Sequence, residues 1–290
     1  MLTFNNEKLK GALRCPICKA EMDISENGSA TLFCKGAKKH CYDFASGGYV
    51  NLCRPGQSGG GDSKQAVRAR SDFLDLDYYA PVRDKLCELL CGLLDTQKQP
   101  IIIDAGCGEG YYSTAIAKRG FALAGFDLSK FATDAAAKRA KREEIHNAFY
   151  GVASVFELPI ADRTADAVVN IFAPCVESEY SRVLRDGGYL IIACAGPDHL
   201  LGLKRAIYRE IHKNDTRADM PTALSKVDSA RVKYEIDLNS NAAIKNLFAM
   251  TPYYWKTSQE DVKKLDGLDS LHTEIDVIFE IYKKQEGRTL

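Results

Sequence analysis

Cys15, Cys18, Cys34, His40 and Cys41 fall within 27 residues, and about sixty residues later the run IIIDAGCGEGYY spans 101–112. The first group has the composition and spacing of a zinc site. CPIC (15–18) sets two thiolates on one tight knuckle, and FCKGAKKHCYDF supplies a return pair, Cys34 with His40 or Cys34 with Cys41. Zinc takes four soft or borderline donors in a tetrahedron, and a full set leaves no open position, so the ion expected here is structural, one per chain. The second group is a glycine turn leaving a buried strand. Gly106, Gly108 and Gly110 let backbone approach a ligand without a Cβ in the way. A dinucleotide loop reads G-x-G-x-x-G, whereas this one is G-x-G-x-G with Asp104 two residues upstream. The compact form suits S-adenosylmethionine, which has no pyrophosphate to hold. Asp104 would orient its cationic methionine end, and Asp127, 23 residues on, would accept the ribose hydroxyls. The stretch LPIADRTADAVV (158–169) offers an adenine-side loop with Asp162.

The elements that must position these groups read as a doubly wound α/β sheet preceded by a small zinc-binding domain. Strands are predicted at 101–104, 122–127, 148–154, 165–173, 188–196 and 273–284, with helical stretches at 111–119, 130–143 and 177–185 between most of them. A ligand then lies beyond the carboxyl ends of the strands. Before this block, RPGQSGGGDS (54–63) reads as a flexible linker. A helix capped by Asp62 or Ser63 should follow through 64–76, and another from about 81 to 94. Within the finger, Asn27-Gly28 is a turn leading into a short strand. The chain is thus divided into residues 1–53 (zinc-binding, RNA recognition), 54–99 (linker and helices) and 100–290 (methyltransferase domain).

With 290 residues, 46% of them hydrophobic, the chain can bury a full α/β core. No apolar run is long enough to span a membrane and the start lacks a signal-peptide pattern, so a cytoplasmic protein is expected. Of the ten cysteines, Cys87, Cys91, Cys107, Cys175 and Cys194 lie in apolar surroundings and should pack as small hydrophobes. Net charge is zero, which argues weakly against a nucleic-acid partner. The distribution softens that objection: the first 70 residues hold 11 Lys/Arg against 6 Asp/Glu, the rest 28 against 33. The basic excess sits at the zinc end, where an RNA-contacting module would carry it.

The blocks CPIC, HCYDFASGGYVNL, GDSKQAVRARSDFLDLDYYAPVRD, DAGCGEGYY, IFAPC, GPDHLLGLK and MTPYYWK resemble, in order, those of the RlmA-type 23S rRNA (guanine-N1)-methyltransferases over nearly the whole chain. The resemblance implies transfer of a methyl group from S-adenosylmethionine to a guanine N1 in a hairpin loop of 23S rRNA, by a homodimer. It implies zinc ligands at Cys15, Cys18, Cys34 and His40, and cofactor contacts from Tyr79, Gly108, Glu109 and His199 beside Asp104, Gly106, Gly110 and Asp127. Five residues separate Cys34 from His40, against three expected of the family, so Cys41 stays a rival fourth ligand. NIFAP (170–174) is loosely like the Asn-Pro-Pro-aromatic box of amino-group methyltransferases, which makes Asn170 and Phe172 the candidate catalytic residues. If the finger is an independent recruitment module, deleting residues 1–53 should leave cofactor affinity nearly unchanged.

Overall fold

A computed structural model describes residues 6–25, 30–54, 56, 60–211, 213–214, 224–285 and 287. The Asn27-Gly28 turn and part of the Gly-rich linker lie outside the described residues. Strands β1 (Met22–Ser25), β2 (Thr31–Cys34) and β3 (Cys41–Asp43) form a small antiparallel sheet after helix α1 (Glu7–Ala12). The main sheet combines β4 (Val50–Asn51), β5 (Ile101–Ala105), β6 (Ala122–Asp127), β7 (Ala148–Val152), β8 (Ala165–Ile171), β9 (Leu184–Ala195), β10 (Ser225–Leu238) and β11 (Leu271–Lys283). Its order is β10-β11-β9-β8-β5-β6-β7-β4, antiparallel at β10/β11 and β11/β9 and parallel elsewhere.

Side-chain alternation divides this sheet into two cores. Ile102 and Leu123 point to one face, and Ile101, Ile103, Ala122, Ala124 and Phe126 to the other. The first face is covered by α3 (Ala80–Leu93), α4 (Tyr111–Lys118), α5 (Lys130–Arg142), α7 (Leu201–Ile207) and α8 (Asn241–Ala249), with α2 (Lys64–Leu74) packed on α5 and α8. Ser63 caps α2 through its Oγ, which accepts from the Ala66 amide at 3.2 Å.

The second face has α6 (Glu177–Val183) and no helix between β7 and β8, where a doubly wound fold would place one. The amino-terminal segment fills that space. Leu9, Leu13, Cys15, Met22, Leu32, Val50 and Leu52 share a core with Phe126, Phe149, Leu158 and Ile160. Leu13 bridges Ile160, the Arg14 amide donates to Pro159 O at 2.9 Å, and the Ala161 amide donates to Ala12 O at 2.8 Å. The β4 strand also extends the main sheet alongside β7. The described residues before 54 therefore share one core with the strands that follow residue 100, and the expectation that the finger can be deleted without effect on the rest loses its basis. Short helices α9 (Tyr253–Lys256) and α10 (Gln259–Lys263) complete the fold.

Candidate functional site

β5 delivers Asp104 to its carboxyl end fully buried, where the Ser113 hydroxyl of α4 donates to it. The next residues fold back on β6. The Gly106 and Cys107 amides donate to Phe126 O at 2.8 and 3.0 Å, and the Gly108 amide donates to Asp127 Oδ2 at 3.1 Å. The other Asp127 oxygen accepts from the Ser129 amide at 2.8 Å. The glycine loop and the acid ending β6 are thus locked together. Each Asp127 oxygen keeps a lone pair for a ligand hydroxyl.

Asp104, Glu109 and Asp127 make this pocket strongly electronegative. Burial pushes Asp104 up to about 7, reinforced by the Asp127 and Glu109 charges and opposed by the Ser113 hydrogen bond. Burial likewise raises Glu109 and Asp127. A cationic ligand would relieve all three, which is the property of a sulfonium and an amino group. Arg70, which the sequence reading passed over, lies beside the loop: a Cβ on Gly108 would sit 3.6 Å from Arg70 Nη1. Arg70 also pairs with Asp62 at 2.5 Å, and Arg139 Nε donates to Glu109 O at 3.2 Å. The only sequence signal for Arg70 was its place in the block GDSKQAVRARSDF.

Tyr79 and His199, 120 residues apart, come together in the buried layer, with Tyr79 Oη 3.3 Å from His199 Nε2. The Asp276 amide donates to His199 Nδ1 at 3.1 Å, so the ring proton sits on Nε2 and is given to Tyr79. Burial lowers His199 to about 4, and the ring is neutral near pH 7. With Nδ1 already accepting and Nε2 donating, this imidazole is built to position, not to take up a proton. Phe172 stacks on it, with centroids 5.8 Å apart and an interplanar angle of 21°. That side chain is 46% exposed and its backbone is left-handed at φ +53°, a strained state for a bulky residue.

Two candidates change role. Asn170 spends both amide hydrogens inside the protein, on Pro174 O at 3.0 Å and Tyr180 Oη at 2.9 Å. It shapes the IFAPC turn that displays Phe172. Asp162 lies on the approach to the amino end of β8, away from the glycine loop, and pairs with Arg182 at 2.6 Å. The residues leaving the carboxyl end of β7 beside Asp127 are Ala153–Phe156, with the Ala153 amide donating to Asp127 O at 3.1 Å. Ala153, Ser154 and Val155 carry no side chain that would single them out in the sequence, and Phe156 stands 67% exposed at the end of the segment. Cys91 departs from the small-hydrophobe expectation, being exposed on α3.

In the finger, Cys15, Cys18, Cys34 and His40 bring four donor atoms within 4.8 Å of one another. Cys18 and Cys34 sulfurs are 3.6 Å apart, and His40 Nδ1 lies 3.6 Å from Cys15 Sγ and 3.4 Å from Cys34 Sγ. Zn–S bonds of about 2.3 Å at tetrahedral angles require edges close to these. Three sulfurs and an imidazole thus fit one zinc. Cys41 sits at an exposed position of β3 outside the cluster. The Cys34 sulfur also accepts from the His40 amide at 3.2 Å. The basic fringe is partly used internally: Lys19 and Arg54 both pair with Glu157, and Lys39 lies 4.2 Å over the Phe33 ring.

Residues 102–188 match a family described as "Methyltransferase domain". The 23S rRNA (guanine(748)-N(1))-methyltransferase of Streptomyces fradiae is 30% identical over 271 residues, 90% of this chain and 92% of that protein. YxjB of Bacillus subtilis (strain 168), provisionally named a 23S rRNA (guanine-N(1)-)-methyltransferase, is 30% identical over 278 residues, 91% and 94% of the two chains. Among solved structures, a sarcosine dimethylglycine methyltransferase candidate from Galdieria sulphuraria aligns with a TM-score of 0.48 at 13% identity, covering 72% of this chain and 88% of that one. Among the described residues no helix is long and apolar enough to cross a membrane. Identity at this level covers 91% and 90% of the chain in the two alignments, and the chain belongs to the 23S rRNA (guanine-N1)-methyltransferase family.

Proposed function

We propose that this protein transfers a methyl group from S-adenosylmethionine to N1 of a guanine in a hairpin loop of 23S rRNA. The observation that carries this is the junction of a buried acid–glycine pocket at β5/β6 with an outward-facing Phe172 over a neutral His199, in a chain of which 90% aligns with an rRNA guanine-N1 methyltransferase. Tyr79, Asp104, Gly106, Gly108, Glu109, Asp127 and His199 would hold the cofactor, with Gly110 closing the loop against α5. Bound there, S-adenosylmethionine supplies a methyl group on a sulfonium, which leaves as a thioether.

The chain's own part is alignment and desolvation. Asp127 takes the ribose hydroxyls and fixes the nucleoside end. Asp104 and Glu109 face the cationic end. Phe172 presents an open ring on which a flipped-out guanine can stack. The Tyr79–His199 pair would not take the N1 proton, because both imidazole nitrogens are committed. Zinc held by Cys15, Cys18, Cys34 and His40 would close the finger against the sheet. The finger's exposed cations would meet RNA phosphates, and two chains would assemble as a homodimer.

Asp127→Ala should weaken S-adenosylmethionine binding by about 1.5–3 kcal/mol, the range for hydrogen bonds to a charged group. Isothermal titration calorimetry checks this, and NAD binding in place of S-adenosylmethionine would overturn the reading. Purified protein given labelled cofactor and protein-free 23S rRNA should place the label in RNA; label confined to free nucleosides or to protein would contradict it.

A further inference from the structure

The only tryptophan of the chain, Trp255, is 70% exposed, the most exposed large apolar side chain among the described residues. It sits on α9 beside Tyr254, their rings perpendicular with centroids 5.1 Å apart. Tyr254 in turn tilts against the buried ring of Phe248, 5.8 Å away. An indole displayed to water in this way is braced from below, not draped on the surface.

The helix beneath it is fastened to the site. Tyr253 donates through Oη to Asn214 Oδ1 at 3.3 Å, and Asn214 Nδ2 donates to Gly196 O at 2.9 Å and His199 O at 3.3 Å. Lys204 Nζ donates to the same Asn214 oxygen at 2.7 Å and lies 5.5 Å from the Tyr253 ring centroid. The other end of α9 is held by Thr257, whose hydroxyl is 2.5 Å from Tyr208 Oη. A continuous path therefore runs from Phe172 to His199, Asn214, Tyr253 and the Tyr254–Trp255 pair. Lys204 is buried and spent on this network, and the adjoining exposed Lys256 has the sign that a phosphate backbone needs.

We propose that Trp255, braced by Tyr254, is a stacking platform for an unpaired nucleobase of the RNA strand whose guanine enters over Phe172. This rests on the RNA-methyltransferase reading above and extends it from the target base to a second base of the same loop. Every base has a π-face, so such a platform holds single-stranded RNA with little sequence preference. It fixes the strand while the target is extruded. A hairpin loop, whose bases are already unpaired, suits it better than a duplex.

The sole tryptophan makes the test direct. Full-length protein is titrated with a synthetic 23S rRNA hairpin containing the target loop, and Trp255 emission and its quenching by acrylamide are followed. Stacking should quench the emission saturably and shield the indole from acrylamide. Trp255→Ala should raise the KM for the hairpin at least about fivefold while cofactor affinity and Tm stay unchanged, and Trp255→Phe should restore most of the loss. Methylation of the hairpin with an unaltered KM in Trp255→Ala, or saturable binding with no change at the indole, would overturn the platform and leave the function intact. Shielding that depends on protein concentration without RNA would replace it with a contact between two copies of this chain. No methylation of RNA by the intact enzyme would instead defeat the functional reading.

Discussion

Deleting residues 1–53 should abolish folding of the methyltransferase core, and stripping zinc should weaken it severely. The deletion removes Leu9, Leu13, Leu32, Val50 and Leu52 and exposes Phe126, Phe149, Leu158 and Ile160, which pack against them. Burial of one such side chain stabilises by about 1.5–3 kcal/mol, so losing even five of these is worth roughly 7.5–15 kcal/mol. That equals the whole stability of a typical domain, about 5–15 kcal/mol. Cys15→Ser is the gentler version. It should lose the metal and lower Tm, and amide exchange should rise in β5 and β6 as well as in the finger. Cys41→Ser should retain the metal. Exchange confined to residues 6–54 in Cys15→Ser, or a soluble, cofactor-binding 54–290 fragment, would show that the finger is a detachable module after all.

Gly110→Val should destabilise the protein by about 2–6 kcal/mol, with Tm lower by on the order of 10 °C. Two effects add. Gly110 has φ +83°, which a β-branched residue resists, and a Cβ there would lie 2.9 Å from Cα and Cβ of Ala136 on α5. Gly108→Ala makes the contrast. Its φ is +55°, but its Cβ would meet only Arg70 Nη1 at 3.6 Å, so the protein should fold, about 1–2 kcal/mol less stable, with weakened cofactor binding. Differential scanning calorimetry with cofactor titration separates the two. Equal losses of stability would contradict this division of labour.

That contrast marks how far sequence could go. Spacing revealed the glycine loop and its two acids because close backbone approach and charge leave residue-type signatures. It could not say that Gly110 is there for α5 and not for the ligand, since helix packing is decided 26 residues away. Five of the six parallel-type strands were legible as apolar runs, β6 with the very bounds observed, and only the two-residue β4 was not. The β10 strand was not, because its side chains are largely exposed and charged along an edge. The finger was legible as ligands but not as a layer of the core. Nothing local in LKGALRC announces that Leu9 and Leu13 fill the place of a missing crossover helix. Asp162 misled for a similar reason: the sequence shows an acid after a strand, not which end of the next strand it stands at. The Tyr79–His199 pair came from family resemblance alone, since 120 intervening residues hide such a contact from any pattern.

The central claim is the identity of the product, and nucleoside mass spectrometry of 23S rRNA from a strain lacking this gene and from the complemented strain measures it most directly. The account predicts that 1-methylguanosine at one loop guanine disappears in the first and returns in the second, and that the Asp127→Ala gene restores it poorly. An unchanged 1-methylguanosine content, or the loss of a different methylated nucleoside, would contradict it.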